Sequence, residues 1–176
     1  MAETKPEENV VIFEDEAGFS LHPKLGKVWA KKGLQPIVYT KSQRQCKINM
    51  FGWVELLGGH HGMMESETGD SEGFIKLLKI VLHKYEDKTI ELWVDRAKWH
   101  KGIKIESFCA SYSQLHIHYI PPYHPELNFQ ERIWRVTRYE ETTNNYYTSF
   151  ELMRYSIFKR SKSWKPRKIK SLCKIN

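Results

Sequence analysis

Residues 10–18 read VVIFEDEAG, which is four apolar residues followed by a run of carboxylates. Four successive apolar residues predict a strand that is buried on both faces. Asp15 follows this run, and Asp95 follows a second strand-like run, TIELWV at 89–94. Ligand sites in open α/β sheets lie at the ends of strands. Asp15 and Asp95 are therefore candidate site residues, although acidic residues also end strands simply because loops are hydrated.

A third acidic residue, Glu131, lies in a helix that the pattern predicts over 127–139. The apolar positions with helical spacing are Phe129, Ile133 and Val136. Glu131 falls on a different stripe, together with Arg135 and Arg138. This stripe fits an ordinary surface ion pair between Glu131 and Arg135. It also fits a metal ligand with cations beside it that hold phosphate oxygens.

Three carboxylates supply only hard oxygen ligands, which suit Mg²⁺ or Mn²⁺. Two such ions about 3.5–4 Å apart activate an attacking hydroxyl and stabilise the leaving oxygen in phosphoryl transfer. If Asp15, Asp95 and Glu131 meet in the fold, we expect metal-dependent phosphoryl transfer on a nucleic-acid backbone. Strand alternation places Glu14 and Glu16 on the opposite face from Asp15, where they face solvent or support the site.

The order of the remaining patterns predicts an α/β fold. Strands are predicted over 48–54, 89–94 and 116–120, with shorter ones at 27–30 and 36–39, and helices over 71–85, 101–110, 127–139 and 149–162. A β-rich first half followed by alternating helices and strands is typical of a mixed sheet with helices packed on it. Pro166 is predicted to end regular structure, and no repeat or linker divides the chain into two domains.

Charge is distributed unevenly along the chain. The net charge is +7, from 28 Lys and Arg against 21 Asp and Glu. Residues 159–176 contain eight basic residues and no acidic one, so the rest of the chain is nearly neutral. A basic tail of this kind favours a polyanionic partner such as nucleic acid, although it also suits a solubilising tail. The polar residues 1–9 are predicted to form a flexible leader.

Membrane and secreted proteins are the classes that the sequence argues against. No stretch approaches the roughly 20 apolar residues that span a bilayer. The polar, acidic start is unlike a secretory signal. The three cysteines are widely separated and form no CxxC motif. This usage indicates a reducing cytosol, and we expect no membrane partner.

The motifs occur in an order that resembles bacterial insertion-sequence transposases of the mariner superfamily. The resembling segments are FEDEAG (13–18), WAKKG (29–33), FG (51–52), VDRAKWHK (94–101), PPYHPELNFQERIW (121–134) and TNNYY (143–147). The likeness runs from Val10 to Lys159. Between Asp95 and Glu131 lie 35 residues, close to the spacing that such enzymes use.

The resemblance implies a ribonuclease H-like fold, a mixed sheet flanked by helices, over residues 10–158, followed by the basic tail 159–176. It implies that Asp15, Asp95 and Glu131 are the catalytic and metal-binding residues, with Mg²⁺ (or Mn²⁺) as cofactor. The reaction would be cleavage at transposon ends, then attack of the freed 3′-hydroxyl on target DNA. The partners would be double-stranded DNA and a second copy of the chain in a synaptic complex, in the bacterial cytoplasm at the nucleoid.

Basic and motif residues around the three acids are predicted to contact DNA. They are Lys98, His100, Lys101, Asn128, Arg135, Arg138, Lys165, Arg167 and Lys168. For Lys98, His100 and Asn128, the family motifs fit support of the catalytic carboxylates as well as contact with phosphates.

Three departures from the family pattern leave alternatives open. Arg96 stands where Asn commonly follows the second Asp, and Phe129-Gln130 stands where Pro-Ile commonly precedes the third acid. The helix-turn-helix modules that precede the catalytic domain in this family are expected to be missing from this chain. A ribonuclease H-fold nuclease with another nucleic-acid substrate, and a catalytically silent DNA-binding remnant, are therefore the alternatives.

Overall fold

The computed structural model describes residues 8–40 and 47–174, which contain one five-stranded sheet. The strands are β1 (Asn9–Ser20), β2 (Lys47–Glu55), β3 (His61–Ser66), β4 (Thr89–Val94) and β5 (Leu115–Tyr119). Their order across the sheet is β3-β2-β1-β4-β5. The β1–β2 and β2–β3 pairs are antiparallel, whereas the β1–β4 and β4–β5 pairs are parallel.

Helices cover both faces of this sheet, so the predicted α/β architecture is confirmed. The helices are α1 (Ser71–Lys84), α2 (Ile103–Ala110), α3 (Phe129–Thr137), α4 (Phe150–Ser163) and α5 (Pro166–Leu172). Short 3₁₀ turns lie at Lys98–His100 and Pro125–Leu127, and a π-helical segment, Arg138–Thr142, continues α3.

The central strand β1 sends alternate side chains to opposite faces of the sheet. Ile12 packs in the core that α1 and α2 cover, and Phe13 packs in the core that α3 and α5 cover. Burial on both faces explains the uninterrupted apolar run at the start of β1. By the same alternation, Asp15 lies on the α3 face and Glu14 on the α1 face.

Polar caps set the starts of three helices. The side chains of Asp70 and Ser149 accept backbone N–H bonds at the starts of α1 and α4. The predicted helix over 127–139 is shorter in the structure. The Asn128 side chain accepts the Gln130 N–H at 3.1 Å, so α3 begins only after the preceding 3₁₀ turn ends.

The basic segment 159–176 is folded onto the domain as far as residue 174, so the prediction of a tail is wrong for these residues. The predicted boundary after residue 158 falls inside α4. Pro166 begins α5 rather than ending regular structure, because proline is well tolerated at the first helical position. Trp164, Ile169 and Cys173 are buried in the core beneath α3. These apolar residues dock the segment despite its charge.

The segment 21–40, which we call the arm, follows β1 without forming a further strand. The short strands predicted at 27–30 and 36–39 are therefore wrong, although Lys24 makes an isolated bridge to Thr143. Gly26 N–H also donates to Asn144 Oδ1 at 2.9 Å. The large apolar side chains of the arm are exposed at Leu25, Val28, Trp29, Leu34, Ile37 and Tyr39.

Two further predictions concern the N-terminus and membranes. Residues 1–7 of the predicted leader lie outside the described residues, and β1 begins at Asn9. Across residues 8–40 and 47–174, no helix combines the length and the apolar character that crossing a bilayer requires.

Candidate active site

The parallel pairing of β1 and β4 brings Asp15 and Asp95 to the same level of the sheet. Phe13 lies opposite Trp93 in this register, and each Asp comes two residues further along its strand. Two residues complete one repeat of the pleat, so Asp15 projects to the same face as Phe13. The two carboxylates therefore lie side by side where β4 ends.

Glu131 reaches this level from α3, which packs across β1 and β2. Gly52 is the residue of β2 that pairs with Asp15. A Cβ atom at Gly52 would lie 2.3 Å from Gln130 Nε2 and 2.5 Å from Trp134 Cζ2, so no side chain fits between β2 and α3 there. This close approach holds the first turn of α3, which contains Glu131, beside Asp15.

A single cleft of about 400 Å³ is lined by all three acidic residues. The rest of its wall includes Arg96 and the loop 121–125. Arg96 Nε donates to the carbonyl of Ile120 at 3.4 Å, which keeps the guanidinium at the wall of the cleft. The structure thus brings together the three residues predicted to be catalytic, whose role in binding metal stays a prediction.

Asp15 is the most confined of the three carboxylates. It is only 9% exposed, and in the described part of the chain its Oδ2 atom has no hydrogen-bond partner. Burial, and then the negative charge of Glu131, raise the pKa of Asp15 to about 9. A buried, unpaired carboxylate oxygen among like charges is a site that a hard divalent cation fits, because the cation supplies the missing positive partner.

The opposite face of β1 holds a second polar cluster, formed around His100. His100 Nε2 lies 3.0 Å from Glu16 Oε1 and 3.2 Å from Glu14 Oε2, and His100 Nδ1 lies 2.9 Å from Asp95 Oδ1. Trp99 Nε1 also donates to Glu16 Oε1. His100 and Glu14 have no exposed surface. The cluster is therefore an internal network whose His100 side chain reaches the cleft through Asp95.

Three residues of types that bind metals meet in this cluster, with one ligand atom each from Glu14, Glu16 and His100 lying within 4.8 Å of one another. No other such group of three was found in the described ranges, so the cleft acids are spaced more widely. Burial opposes the charged imidazole, but its contacts with Asp95, Glu14 and Glu16 raise the pKa of His100 to about 12. A ring that keeps both protons donates hydrogen bonds and has no lone pair for a metal. The donor chemistry therefore favours an ion in the cleft.

The sequence identifies this cluster only in part. The prediction that Glu14 and Glu16 lie on the face opposite Asp15 is confirmed. Exposure to solvent, one of the two environments predicted for them, is wrong for Glu14, which is fully buried. Glu14 is buried because the chain turns back beneath β1 after β4 and Asp95, which brings His100 against Glu14. The sequence contains no local signal for that return.

The residues predicted to contact DNA fall into three groups, which are exposed, partly buried and buried. Exposed side chains are found at Lys98, Lys101, Arg135, Lys165 and Arg167. Arg138 is partly buried over the Phe19 ring, and Lys168 is paired with Glu140 Oε1 at 2.6 Å. His100 and Asn128 are buried, and Asn128 Nδ2 donates to the carbonyl of Glu14 at 2.8 Å. Of their two predicted roles, burial favours support of the carboxylates over contact with phosphates.

Comparisons with known proteins agree with this geometry. Residues 10–154 match the family model for the DDE superfamily endonuclease. The chain is 32% identical over 139 residues to the insertion element IS630 uncharacterized 39 kDa protein of Shigella sonnei, a match that covers 78% of this chain and 40% of that protein. The Mos1 transposase paired-end complex with left transposon end has a TM-score of 0.70 at 13% identity, covering 92% of this chain and 50% of that one. The Mos1 mariner paired end complex with Mn has a TM-score of 0.69 at 14% identity, covering 92% and 51%.

At this level of identity, the Mos1 structures show a shared fold, which is ribonuclease H-like. The chain spans about 40% of the length of the insertion-element protein that it matches. The family match includes Asp15, Asp95 and Glu131. The chain therefore belongs to the DDE superfamily of endonucleases.

Proposed function

We propose that this chain catalyses DNA transposition: it cleaves DNA at transposon ends and joins the freed 3′-hydroxyl to target DNA. The observation that carries the proposal is the common cleft of Asp15, Asp95 and Glu131 in a domain of this family. Both steps are phosphoryl transfers, with water and then a 3′-hydroxyl as nucleophile, so one set of carboxylates serves both. Because the chain spans about 40% of its insertion-element relative, the activity of the complete protein is part of the proposal.

Mg²⁺ or Mn²⁺ is the cofactor that suits this donor set. All three donors are carboxylates, and the unpaired Oδ2 of Asp15 fits a cation. Among the similar Mos1 structures, one is a complex with Mn and another a complex with Mg. Asp15, Asp95 and Glu131 would hold the ions, which when bound neutralise charge on the scissile phosphate and acidify the attacking hydroxyl.

The residues around the acids supply positive charge for the phosphate backbone. Arg96 at the wall of the cleft, and Arg135 one turn beyond Glu131, are placed to hold phosphate oxygens. Asp15 must release its proton before it binds a cation, so we expect binding to tighten as pH rises. Lys98 and Lys101, which are exposed at the short turn after Asp95, would contact the flanking duplex and make its binding salt-dependent.

We propose that two copies pair in a synaptic complex, with the arm as the surface that they share. Six large apolar side chains are exposed in the arm, and Trp29 is fully exposed. Several exposed apolar side chains in one segment are typical of protein interfaces. Sedimentation velocity should give a dimer that Trp29→Glu converts to a monomer, whereas Lys162→Glu on α4 leaves it dimeric.

Because its proposed substrate is DNA, we place the protein in the bacterial cytoplasm at the nucleoid.

The experiment that tests the proposal is DNA cleavage and strand transfer with carboxamide variants of the three acids. Asp15→Asn, Asp95→Asn and Glu131→Gln should each remove Mn²⁺-dependent activity on duplex DNA while leaving the circular dichroism spectrum unchanged. Glu126→Gln is the matched control, because Glu126 is exposed and paired with His124, outside the set of three acids. Activity retained in all three variants would contradict the proposal.

The choice of substrate separates the alternatives. A pre-cut transposon end with a 3′-hydroxyl, an RNA–DNA hybrid and a branched junction are compared under the same conditions. Joining of the pre-cut end to target DNA supports a transposase, whereas cleavage of only the hybrid or the junction supports a different ribonuclease H-fold nuclease. DNA binding without Mn²⁺ binding would instead indicate a catalytically silent remnant.

A further inference from the structure

The His100 side chain links the two faces of the sheet at the candidate active site. Its Nδ1 atom lies 2.9 Å from Asp95 Oδ1 in the cleft. Its Nε2 atom lies 3.0 Å from Glu16 and 3.2 Å from Glu14 on the far side of β1. The ring therefore contacts carboxylates at both ends while lying entirely out of solvent.

The position of His100 is fixed from several directions. Its ring packs against Phe74 of α1 with centroids 4.5 Å apart. Tyr119 Oη donates to the His100 carbonyl at 3.0 Å, and Ser71 Oγ donates to the carbonyl of Trp99 at 3.2 Å. Contacts from α1 and β5 thus hold the 3₁₀ turn that carries the ring. A hydrogen bond from so confined a ring sets the orientation of its acceptor.

The acceptor that needs such orientation is Asp95. Its side chain is half exposed, so solvent alone would leave the carboxylate free to rotate. Oδ1 receives the Ala97 N–H at 2.8 Å and lies 2.9 Å from His100 Nδ1, which also lies 3.3 Å from the Asp95 carbonyl oxygen. With Oδ1 occupied by two donors, Oδ2 is the oxygen that stays available to a cation.

We propose that His100 is a positioning residue that holds Asp95 for divalent-ion binding through its Nδ1 atom. This inference rests on the proposed function, because it takes the cleft acids as the metal ligands. Hydrogen-bond partners of metal ligands commonly contribute 10–100-fold to affinity. The ring itself touches neither the metal nor DNA.

Two substitutions at position 100 separate the two ends of the ring. In His100→Asn, the amide nitrogen replaces Nδ1 and keeps the bond to Asp95. In His100→Gln, the amide nitrogen replaces Nε2 and keeps the hydrogen bond to Glu16 and the contact with Glu14. We expect Mn²⁺ affinity of the metal-free chain, measured by the paramagnetic resonance of free Mn²⁺, to fall about 10–100-fold in His100→Gln and less than about threefold in His100→Asn. Thermal unfolding without metal checks that both variants fold.

Two variants on the far side of β1 are the matched controls. Glu16→Gln and Trp99→Phe alter the cluster but leave Nδ1 in contact with Asp95, so both should keep Mn²⁺ affinity within about threefold. Equal losses in His100→Asn, His100→Gln and Glu16→Gln would make the ring a metal ligand and overturn the proposal. Unchanged affinity in both His100 variants would overturn it as well.

A measurement on the unsubstituted chain covers the case in which neither His100 variant folds. Adding Mg²⁺ should shift the ¹⁵N resonance of His100 Nδ1 more than that of Nε2, because only Nδ1 contacts Asp95. Absence of any Nδ1 shift on saturation would overturn the inference. In that event, the proposed function stands if the wild type binds Mn²⁺ and Asp15→Asn does not. A wild type that binds no Mn²⁺ contradicts both the proposed function and this inference.

Discussion

Gly52 pairs directly with Asp15 across β1 and β2, and its missing side chain makes the space into which α3 packs. A Cβ atom at this position would lie 2.3 Å from Gln130 Nε2 and 2.5 Å from Trp134 Cζ2. The Gln130 amide is the end of a flexible side chain, but the Trp134 ring is rigid and fully buried, so α3 must move to relieve its contact. The distance between Glu131 and Asp15 therefore depends on a glycine in a different strand.

Gly52→Ala should destabilise the fold and weaken the site together. Overpacking of this kind costs about 1–3 kcal/mol in the free energy of unfolding, which urea denaturation measures. Displacing α3 also moves Glu131, so the Mn²⁺ affinity should fall. Gly69→Ala is the control, because a Cβ there meets nothing within 4 Å. Unchanged stability and affinity in Gly52→Ala would mean that α3 does not depend on this contact.

Gln130→Met should stabilise the protein. The Gln130 side chain is fully buried, and both of its polar atoms lack a hydrogen-bond partner in the described residues. An unsatisfied buried polar group costs about 1–3 kcal/mol, and a thioether of similar volume removes that cost. We expect the free energy of unfolding to rise by about 1 kcal/mol, whereas Gln130→Glu lowers it. A stability loss in Gln130→Met would reveal a partner for the amide.

These two residues show where sequence reasoning stops. The apolar runs before Asp15 and Asp95 predict buried strands, and parallel pairing then aligns the two acids. Gly52 interrupts a predicted strand, which signals a close approach without saying which element approaches. Because Gln130 is polar, the helical pattern predicts that it is exposed. In the structure it lies on the buried face of α3, against β2. Tertiary packing decides which residues of different helices and strands are in contact, and the local sequence does not encode that packing.

Asp15→Asn should remove a pH dependence from metal-free stability. Burial and the charge of Glu131 raise the pKa of Asp15 from 3.8 to about 9. Between these values, the folded chain holds a proton that the unfolded chain has released, so the free energy of unfolding falls as pH rises. The slope is at most about 1.4 kcal/mol per pH unit. In EDTA, wild type should lose stability relative to Asp15→Asn from about pH 5 to about pH 8; a constant difference would contradict this.

Ile169→Ala tests whether the basic segment belongs to the domain. Ile169 is fully buried in the core with Phe129 and Ile133 of α3. Truncating a buried isoleucine costs about 2–5 kcal/mol, so the urea midpoint should fall clearly. Lys162→Ala, on the exposed face of α4, should stay within about 0.5 kcal/mol of wild type. Equal stability of both variants would show that α5 is not part of the folded core.

Arg167→Ala and Lys168→Ala should differ in their effect on DNA binding, although they remove the same charge from adjacent positions. Arg167 is exposed and has no ion-pair partner among the described residues, whereas Lys168 is paired with Glu140. Each phosphate contact contributes about 0.9 to the slope of log affinity against log salt concentration. We expect that slope to fall by about this amount in Arg167→Ala only. Equal slopes in the two variants would place the DNA elsewhere.

The basic segment and the His100 cluster explain why the remaining predictions differ from the structure. Eight charges dominate the composition of residues 159–176, but three apolar residues, at 164, 169 and 173, determine that the segment docks. The motif containing His100 identifies it as a site residue, yet its partner Glu14 lies on a distant strand. Charge and motif identify which residues matter, and tertiary contacts decide what each one does.

The most direct test of the central claim is an anomalous difference map from crystals of this chain soaked in Mn²⁺. The account predicts a manganese peak in the cleft, at ligand distance from Asp15 and Asp95, with Glu131 on the same site or on an adjacent ion. Asp15→Asn crystals should lose this peak. A map whose manganese lies among Glu14, Glu16 and His100, or one with no peak in the cleft at saturating Mn²⁺, would contradict the assignment of these three acids as the catalytic metal ligands.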